Sequence, residues 1–172
     1  MNTEQLEKSD IILVCGLPAS GKSHFARKYF SGRGRKKVSR KEMRQQLYQM
    51  LTFGDKWSEG KFDLVDENLV KHIERKCIEH LLQMGEKLVI DNLSISSMSR
   101  EAYVQLAKRM KKTISAVFIN TGIATCLRNN RTRPAEEIVP EKIISNLAAD
   151  IELPERREGF TDILVISNYE EK

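Results

Sequence analysis

The 172-residue chain has little that would staple it, anchor it or send it across a membrane. Its three cysteines, Cys15, Cys77 and Cys126, are odd in number, far apart and without a CxxC pair. That pattern excludes a disulfide framework and offers no zinc-ligand spacing, so all three are expected to be buried small hydrophobes. No apolar run approaches the roughly 20 residues of a membrane span. The polar start from Asn2 to Asp10 lacks the apolar core of a signal peptide, so the expected compartment is the cytoplasm, with no membrane partner. Prolines number four, aromatics make up 6% and tryptophan occurs once, at Trp57. There is no internal repeat and no low-complexity tract.

What is present suits a single domain spanning 1–172: 40% hydrophobic and 31% charged residues are ordinary for a folded globule with a sizeable core. A net charge of +5 favours anionic ligands but does not choose between nucleotides and nucleic acids. Basic clusters at 33–37 and 108–112 read as solvated element ends.

The most informative segment is Gly16-Leu17-Pro18-Ala19-Ser20-Gly21-Lys22-Ser23, which fills GxxxxGK[ST] directly after the apolar run 11–15. A loop running from a buried strand into a helix aims backbone N–H groups and the positive helix end at one spot, a nest for polyphosphate. Lys22 is then placed to reach the β- and γ-phosphates, and the Ser23 hydroxyl to ligate Mg²⁺. The expected nucleotide contacts are Gly16, Pro18, Ala19, Ser20, Gly21, Lys22, Ser23 and His24, with Arg128 from further along the chain. His24, His72 and His80 form no ligand pair, and their rings are read as structural.

Strand-like runs at 11–15, 88–90, 114–119 and 163–166, with a weaker candidate at Val38-Ser39, alternate with helical patterns. This rhythm predicts an α/β fold with a mainly parallel sheet covered on both faces. Phe62, Val65, Leu69, Ile73, Cys77 and Leu81 recur at helical steps, predicting one long helix over 61–84 that buries this stripe and ends at Gly85. Met98, Ala102, Leu106 and Met110 predict a second. Ser39-Arg40-Lys41-Glu42 has capping-box spacing, which predicts a helix over 40–51. Thr52 to Gly60 reads as a loop, and Trp57 within it as a core anchor or, less simply, a base-stacking ring. Pro134 and Pro140 bracket a break after 127–132, placing Arg128, Arg131 and Arg133 at a helix end beside a mobile crossing.

Lys87-Leu88-Val89-Ile90-Asp91 is a strand ending in a carboxylate, where a phosphate-loop protein needs a group near the metal or the transferring phosphate. Planar guanidinium groups at Arg128, Arg131 and Arg133 match the charge on a transferring phosphoryl group, and a lid that carries them excludes water.

The phosphate loop, Ser39-Arg40-Lys41-Glu42-Met43-Arg44, Ile90-Asp91-Asn92 with Arg100, Arg128-Asn129-Asn130-Arg131, Val139-Pro140-Glu141, and Glu152-Leu153-Pro154 leading to Glu158-Gly159-Phe160 fall in order along nearly the whole chain. Together they resemble the kinase domain of polynucleotide 5′-kinases and related AAA-like ATP-binding kinases. The resemblance implies a three-layer P-loop NTPase fold with a five-stranded, mainly parallel sheet and an Arg-bearing lid. It also implies ATP and Mg²⁺, with transfer of the γ-phosphate to an alcohol, foremost a polynucleotide or nucleotide 5′-hydroxyl. Lys22, Asp91, Arg128 and Arg131 would be catalytic, Ser23 and Asp91 would hold the metal, and Lys41, Arg44 and Asn92 would face the acceptor. The sequence departs from the family at Lys41, where an Asp would take the acceptor's proton. Glu42 or Asp91 could serve instead, or Lys41 and Arg44 could form a basic pair for an anionic acceptor. A small-molecule kinase and a non-catalytic ATP-binding switch remain alternatives.

Overall fold

The computed structural model describes residues 3–167 and 169. Five strands, β1 (Ile11–Gly16), β2 (Arg35–Val38), β3 (Lys87–Asp91), β4 (Ile114–Asn120) and β5 (Ile163–Ser167), form one sheet in the order β2-β3-β1-β4-β5. Every neighbouring pair is parallel. Seven helices accompany them: α1 (Glu4–Glu7), α2 (Lys22–Phe30), α3 (Arg40–Leu51), α4 (Leu64–Gln83), α5 (Ser97–Arg109), α6 (Ile123–Arg131) and α7 (Glu141–Ala149).

Alternation along the strands divides the core. Ile11, Leu13, Cys15, Leu88, Ile90, Ala116 and Phe118 pack against Ile78 and Leu82 of α4 and Val104, Leu106 and Ala107 of α5. Ile12, Val14, Val89, Val117 and Ile119 face Phe25, Ala26 and Phe30 of α2 on the opposite side. The sheet is thus covered on both faces, giving the three layers expected from its near-continuous apolar strands. A third, smaller core of Leu17, Ile95, Cys126, Val139 and Ile144 attaches α6 and α7 to the end of the sheet where β1 enters the phosphate loop. Among the described residues no helix is long and apolar enough to cross a membrane. Cys15 and Cys126 are buried, while Cys77 is half-buried.

Two helix faces differ from the expected stripes. On α4 the buried residues are Glu67, Val70, Glu74, Ile78 and Leu82, whereas Val65 and Leu69 lie exposed and Ile73, Cys77 and Leu81 are only half-buried. Periodicity in apolar residues misses this face because two of its positions are carboxylates, buried because they are paired: Glu67 with Arg44 at 2.7 Å and Glu74 with Arg40 at 2.6 Å. On α5 the buried set is Arg100, Tyr103, Val104, Leu106 and Ala107, and Met98 is exposed. Arg100 is 0% exposed. Its guanidinium donates to both Glu158 carboxylate oxygens at 2.7 and 2.8 Å, and to the Ser94 and Glu152 carbonyls at 3.3 and 2.8 Å.

The helix over 40–51 has the expected bounds, with the Ser39 hydroxyl accepting from the Glu42 amide at 3.5 Å. The return half of the capping box is missing, because the Glu42 carboxylate pairs with Lys37 instead. Gly85 adopts φ +80° after α4, as a helix end requires.

Candidate phosphate site and lid

The loop Gly16–Ser23 owes its shape to backbone constraints. Gly16 has φ +142°, and a Cβ there would lie 2.6 Å from the Ile119 carbonyl oxygen, so only glycine lets β1 pass β4 into the turn. Ala19 at φ +59° and Gly21 at φ +95° then curl the chain, a geometry that brings successive amides toward one point. Gly21 caps α2 without a side chain, leaving the first amides of a nine-residue helix to an external acceptor.

Around this nest lies a cavity of about 510 Å³, lined by Ala19, Gly21, Lys22, Ser23, His24, Thr125, Arg128, Asn129, Thr132, Arg133 and Tyr169. Apart from Tyr169, the lining comes from two segments that internal hydrogen bonds hold together. Asn129 donates to the Ala19 carbonyl at 3.2 Å, and Thr121 to that of Ser20 at 2.8 Å. Asn130, 0% exposed, clasps the crossing that follows α6 by donating to the Val139 carbonyl at 2.7 Å and accepting from its amide at 3.0 Å.

Lys22 donates to the Leu17 carbonyl at 2.5 Å. Burial depresses its ammonium to about 8, with Arg133 pushing the same way and Asp91 opposing. Asp91 ends β3 beside Val14 of β1 and is 4% exposed. Its Oδ2, like the Ser20 hydroxyl, is buried with no hydrogen-bond partner among the described residues. Leaving such atoms unsatisfied is costly, so an orphaned carboxylate oxygen that interacts with the lysine of the phosphate loop fits a hard cation bound through oxygen.

The lid arginines divide. Arg128 and Arg133 line the cavity, but Arg131 does not; its Nε donates to Glu141 at 2.8 Å and its side chain is 67% exposed. Arg131, expected to act on the nucleotide, instead pairs with Glu141 outside the cavity, whereas Arg133 lines it. Position along α6 could not reveal this, because Arg133 lies past the helix end, where its direction depends on the chain turning toward Pro134.

On the acceptor side, Lys41 pairs with Glu137 of the 3₁₀ turn Ala135–Glu137. Arg44 pairs with Glu67, and its guanidinium lies 5.5 Å from the Trp57 ring centroid and 5.7 Å from that of Phe62. Trp57, 4% exposed, is thus a core anchor with Arg44 stacked on it. Asn92 accepts from the Arg40 amide at 2.9 Å and donates to Tyr103 at 2.6 Å and to Glu74. Its amide ties β3 to α3, α4 and α5, so the side chain expected to face the acceptor is engaged within the protein in this structure. His24 lines the cavity, and its Nδ1 lies 2.8 Å from the Tyr169 hydroxyl.

A family model described as AAA domain matches residues 11–154. Over 162 residues the chain is 24% identical to human heterogeneous nuclear ribonucleoprotein U-like protein 2, covering 92% of this chain and 21% of that protein. It thus spans about a fifth of the length of the curated relatives it matches. Among solved structures, a chain of the Pnkp1/Rnl/Hen1 RNA repair complex superposes with TM-score 0.66 at 19% identity, over 81% of this chain and 43% of that one. Kti12 from Chaetomium thermophilum, in complex with ADP-AlF3, superposes with TM-score 0.66 at 17% identity, over 91% of this chain and 88% of that one.

Proposed function

The chain belongs to the AAA domain family and has the P-loop kinase fold, and from that premise we propose that it transfers the γ-phosphate of ATP to an alcohol, foremost a polynucleotide or nucleotide 5′-hydroxyl. The observation that carries the reading is the cavity in which Lys22 and Ser23 of the loop face Arg128 and Arg133 of the lid.

Each group has a physical task. The loop amides and the α2 N-terminus hold the phosphates without side-chain rearrangement. Lys22 exchanges its Leu17 carbonyl for phosphate oxygens, a gain for an ammonium that burial has made costly. Arg128 and Arg133 supply planar donors to the charge on the transferring group. The hydrogen bond from Asn129 to the Ala19 carbonyl keeps those arginines over the loop. Ser23 and Asp91 would hold Mg²⁺, which when bound neutralises charge on the β- and γ-phosphates.

Support for the 5′-hydroxyl acceptor comes from the ordered motifs and from the likeness to a chain of an RNA repair complex. The pair between Lys41 and Glu137, at the position where the resembling family has its base, favours a second reading, an ATP-dependent switch. Labelled ATP separates the readings. Transfer to 5′-hydroxyl oligonucleotides, lost in Lys22→Ala, supports the first. Transfer only to sugars or other metabolites would replace the acceptor, and tight ATP binding without transfer would favour the switch.

A further inference from the structure

Away from the phosphate loop, another cavity of about 340 Å³ lies between α4, α5 and the first residue of α3. Its floor is apolar. Ile78, Tyr103 and Leu106 belong to the main core and are at most 5% exposed, while Ala102 beside them is exposed. Side chains held by the core give a floor that is formed before anything binds to it. The walls are cationic: Arg40 of α3 and Lys71 and Arg75 of α4 line the cavity with a single carboxylate, Glu74. Glu74 is 2% exposed, and it is fully engaged. It accepts from Arg40 at 2.6 and 2.9 Å and from Tyr103 at 3.1 Å, with a further hydrogen bond from Asn92.

Arg40 thus cancels Glu74 and leaves Lys71 and Arg75 uncompensated. Both are exposed, and neither closes an ion pair or a side-chain hydrogen bond among the described residues. Glu79, one turn on from Arg75, is taken by Lys76 at 3.1 Å and Arg109 at 2.7 Å. Two like charges four residues apart on a helix repel each other, and an anion held between them relieves the repulsion. Asn68, exposed on the same lining, adds an amide that both donates and accepts. The volume lies at the small end of ligand pockets, room for one ring system and not for the row of anchors that a docked helix requires. Cations for a phosphate, an apolar floor for a ring and an amide for that ring's edge match one chemistry, that of a nucleotide.

We propose that the cavity between α4 and α5 is a second nucleotide site, which takes a phosphate at Lys71 and Arg75 and a base on the floor of Ile78, Ala102, Tyr103 and Leu106. It goes beyond the phosphotransferase reading, because it concerns binding away from the phosphate loop, and no bond is made or broken there. Two sources share this chemistry, a residue within a polynucleotide strand and a free nucleoside monophosphate. Arg40 joins the site to the end of β3: it lines the cavity, while its backbone amide donates at 2.9 Å to Asn92, the residue after Asp91.

The test uses the full chain with ADP and Mg²⁺ in saturating amounts, so that the phosphate loop is filled and does not report. Two probes are added separately: a 5′-hydroxyl oligodeoxynucleotide labelled at its 3′ end, read by fluorescence anisotropy, and AMP, read by calorimetry. Lys71→Gln with Arg75→Gln should weaken at least one probe about tenfold, and Ala102→Trp, which fills the cavity without changing charge, should weaken the same probe comparably. Lys8→Gln with Lys28→Gln removes equal charge from exposed positions on the opposite side of the sheet and should stay within about twofold. Loss of oligonucleotide binding identifies the strand, loss of AMP binding alone identifies the free nucleotide, and either supports the inference. Variants that bind both probes as tightly as the unsubstituted protein overturn it, as does an unsubstituted protein that binds neither. Equal weakening toward polyglutamate, an acidic chain without bases, shows attraction by charge alone and overturns it too. Phosphate transfer is read in none of these arms, so a chain that binds ATP yet phosphorylates no oligonucleotide overturns the proposed function and leaves this site standing.

Discussion

Lys41 of α3 and Glu137 of the lid turn close an ion pair that joins the two walls of the cleft. Their side chains are 38% and 31% exposed, and a pair so wetted stabilises by only about 0.5 kcal/mol. The pair nevertheless bridges the turn after α6 to α3, and fractions of a kcal/mol at such a bridge are enough to change residence times. Lys41→Ala is expected to speed nucleotide release about twofold to threefold with little change in melting temperature. The charge-reversed double variant Lys41→Glu with Glu137→Lys should bring the release rate back, as stopped-flow with a fluorescent ATP analogue would show. High salt should mimic the single variant.

Lys22 stands at about 8 in the ligand-free protein because burial disfavours its charge. Phosphate oxygens favour the ammonium, so nucleotide binding must raise that value and take up protons from solvent. Uptake should be near zero at about pH 6 and reach about half a proton per site at pH 8. Calorimetry in buffers of different ionisation enthalpy reads this number directly. Lys22→Ala should abolish both the uptake and the nucleotide-dependent heat.

Arg133 lines the cavity and Arg131 pairs with Glu141 outside it. Arg133→Ala and Arg128→Ala should therefore lower kcat by roughly tenfold or more, about 1.4 kcal/mol of transition-state stabilisation, with a smaller change in ATP affinity. Arg131→Ala should stay within about twofold of the unsubstituted rate. Steady-state kinetics on the three variants decides it, and an Arg131 effect equal to that of Arg133 would contradict the geometry.

Arg100 is wholly buried against Glu158 and two carbonyl oxygens. Arg100→Leu strands a carboxylate and those carbonyls, at an expected cost of about 3–5 kcal/mol in denaturant unfolding. Arg100→Lys should recover little, since an ammonium cannot match the two-pronged contact. The Glu158 carboxyl, which the Arg100 hydrogen bonds hold below its ordinary range despite burial, contributes stability that is present above its unfolded value. That contribution is lost as pH falls through the lower folded value, so Arg100→Leu should flatten the acid side of the stability profile.

The order of elements and the loop chemistry were determined by the sequence alone. Buried parallel strands read as apolar runs, glycines mark where φ turns positive, and Ser39 marks the start of α3, because each is a local demand on a few consecutive residues. Gly16 could be assigned to the phosphate turn from its motif, and Asp91 to a strand end from the apolar run before it. Which charges are buried, and which arginines line the cavity, was decided only by the tertiary structure. Glu67, Glu74 and Arg100 look solvent-facing in any helical projection, and they lie inside because partners from distant segments, Arg44, Arg40 and Glu158, neutralise them there. Arg133 occupies an irregular connection, where no periodicity assigns a direction and only the tertiary structure turns it to the cavity. Pairing between charges far apart in the chain is a property of three-dimensional proximity, and no local pattern encodes it.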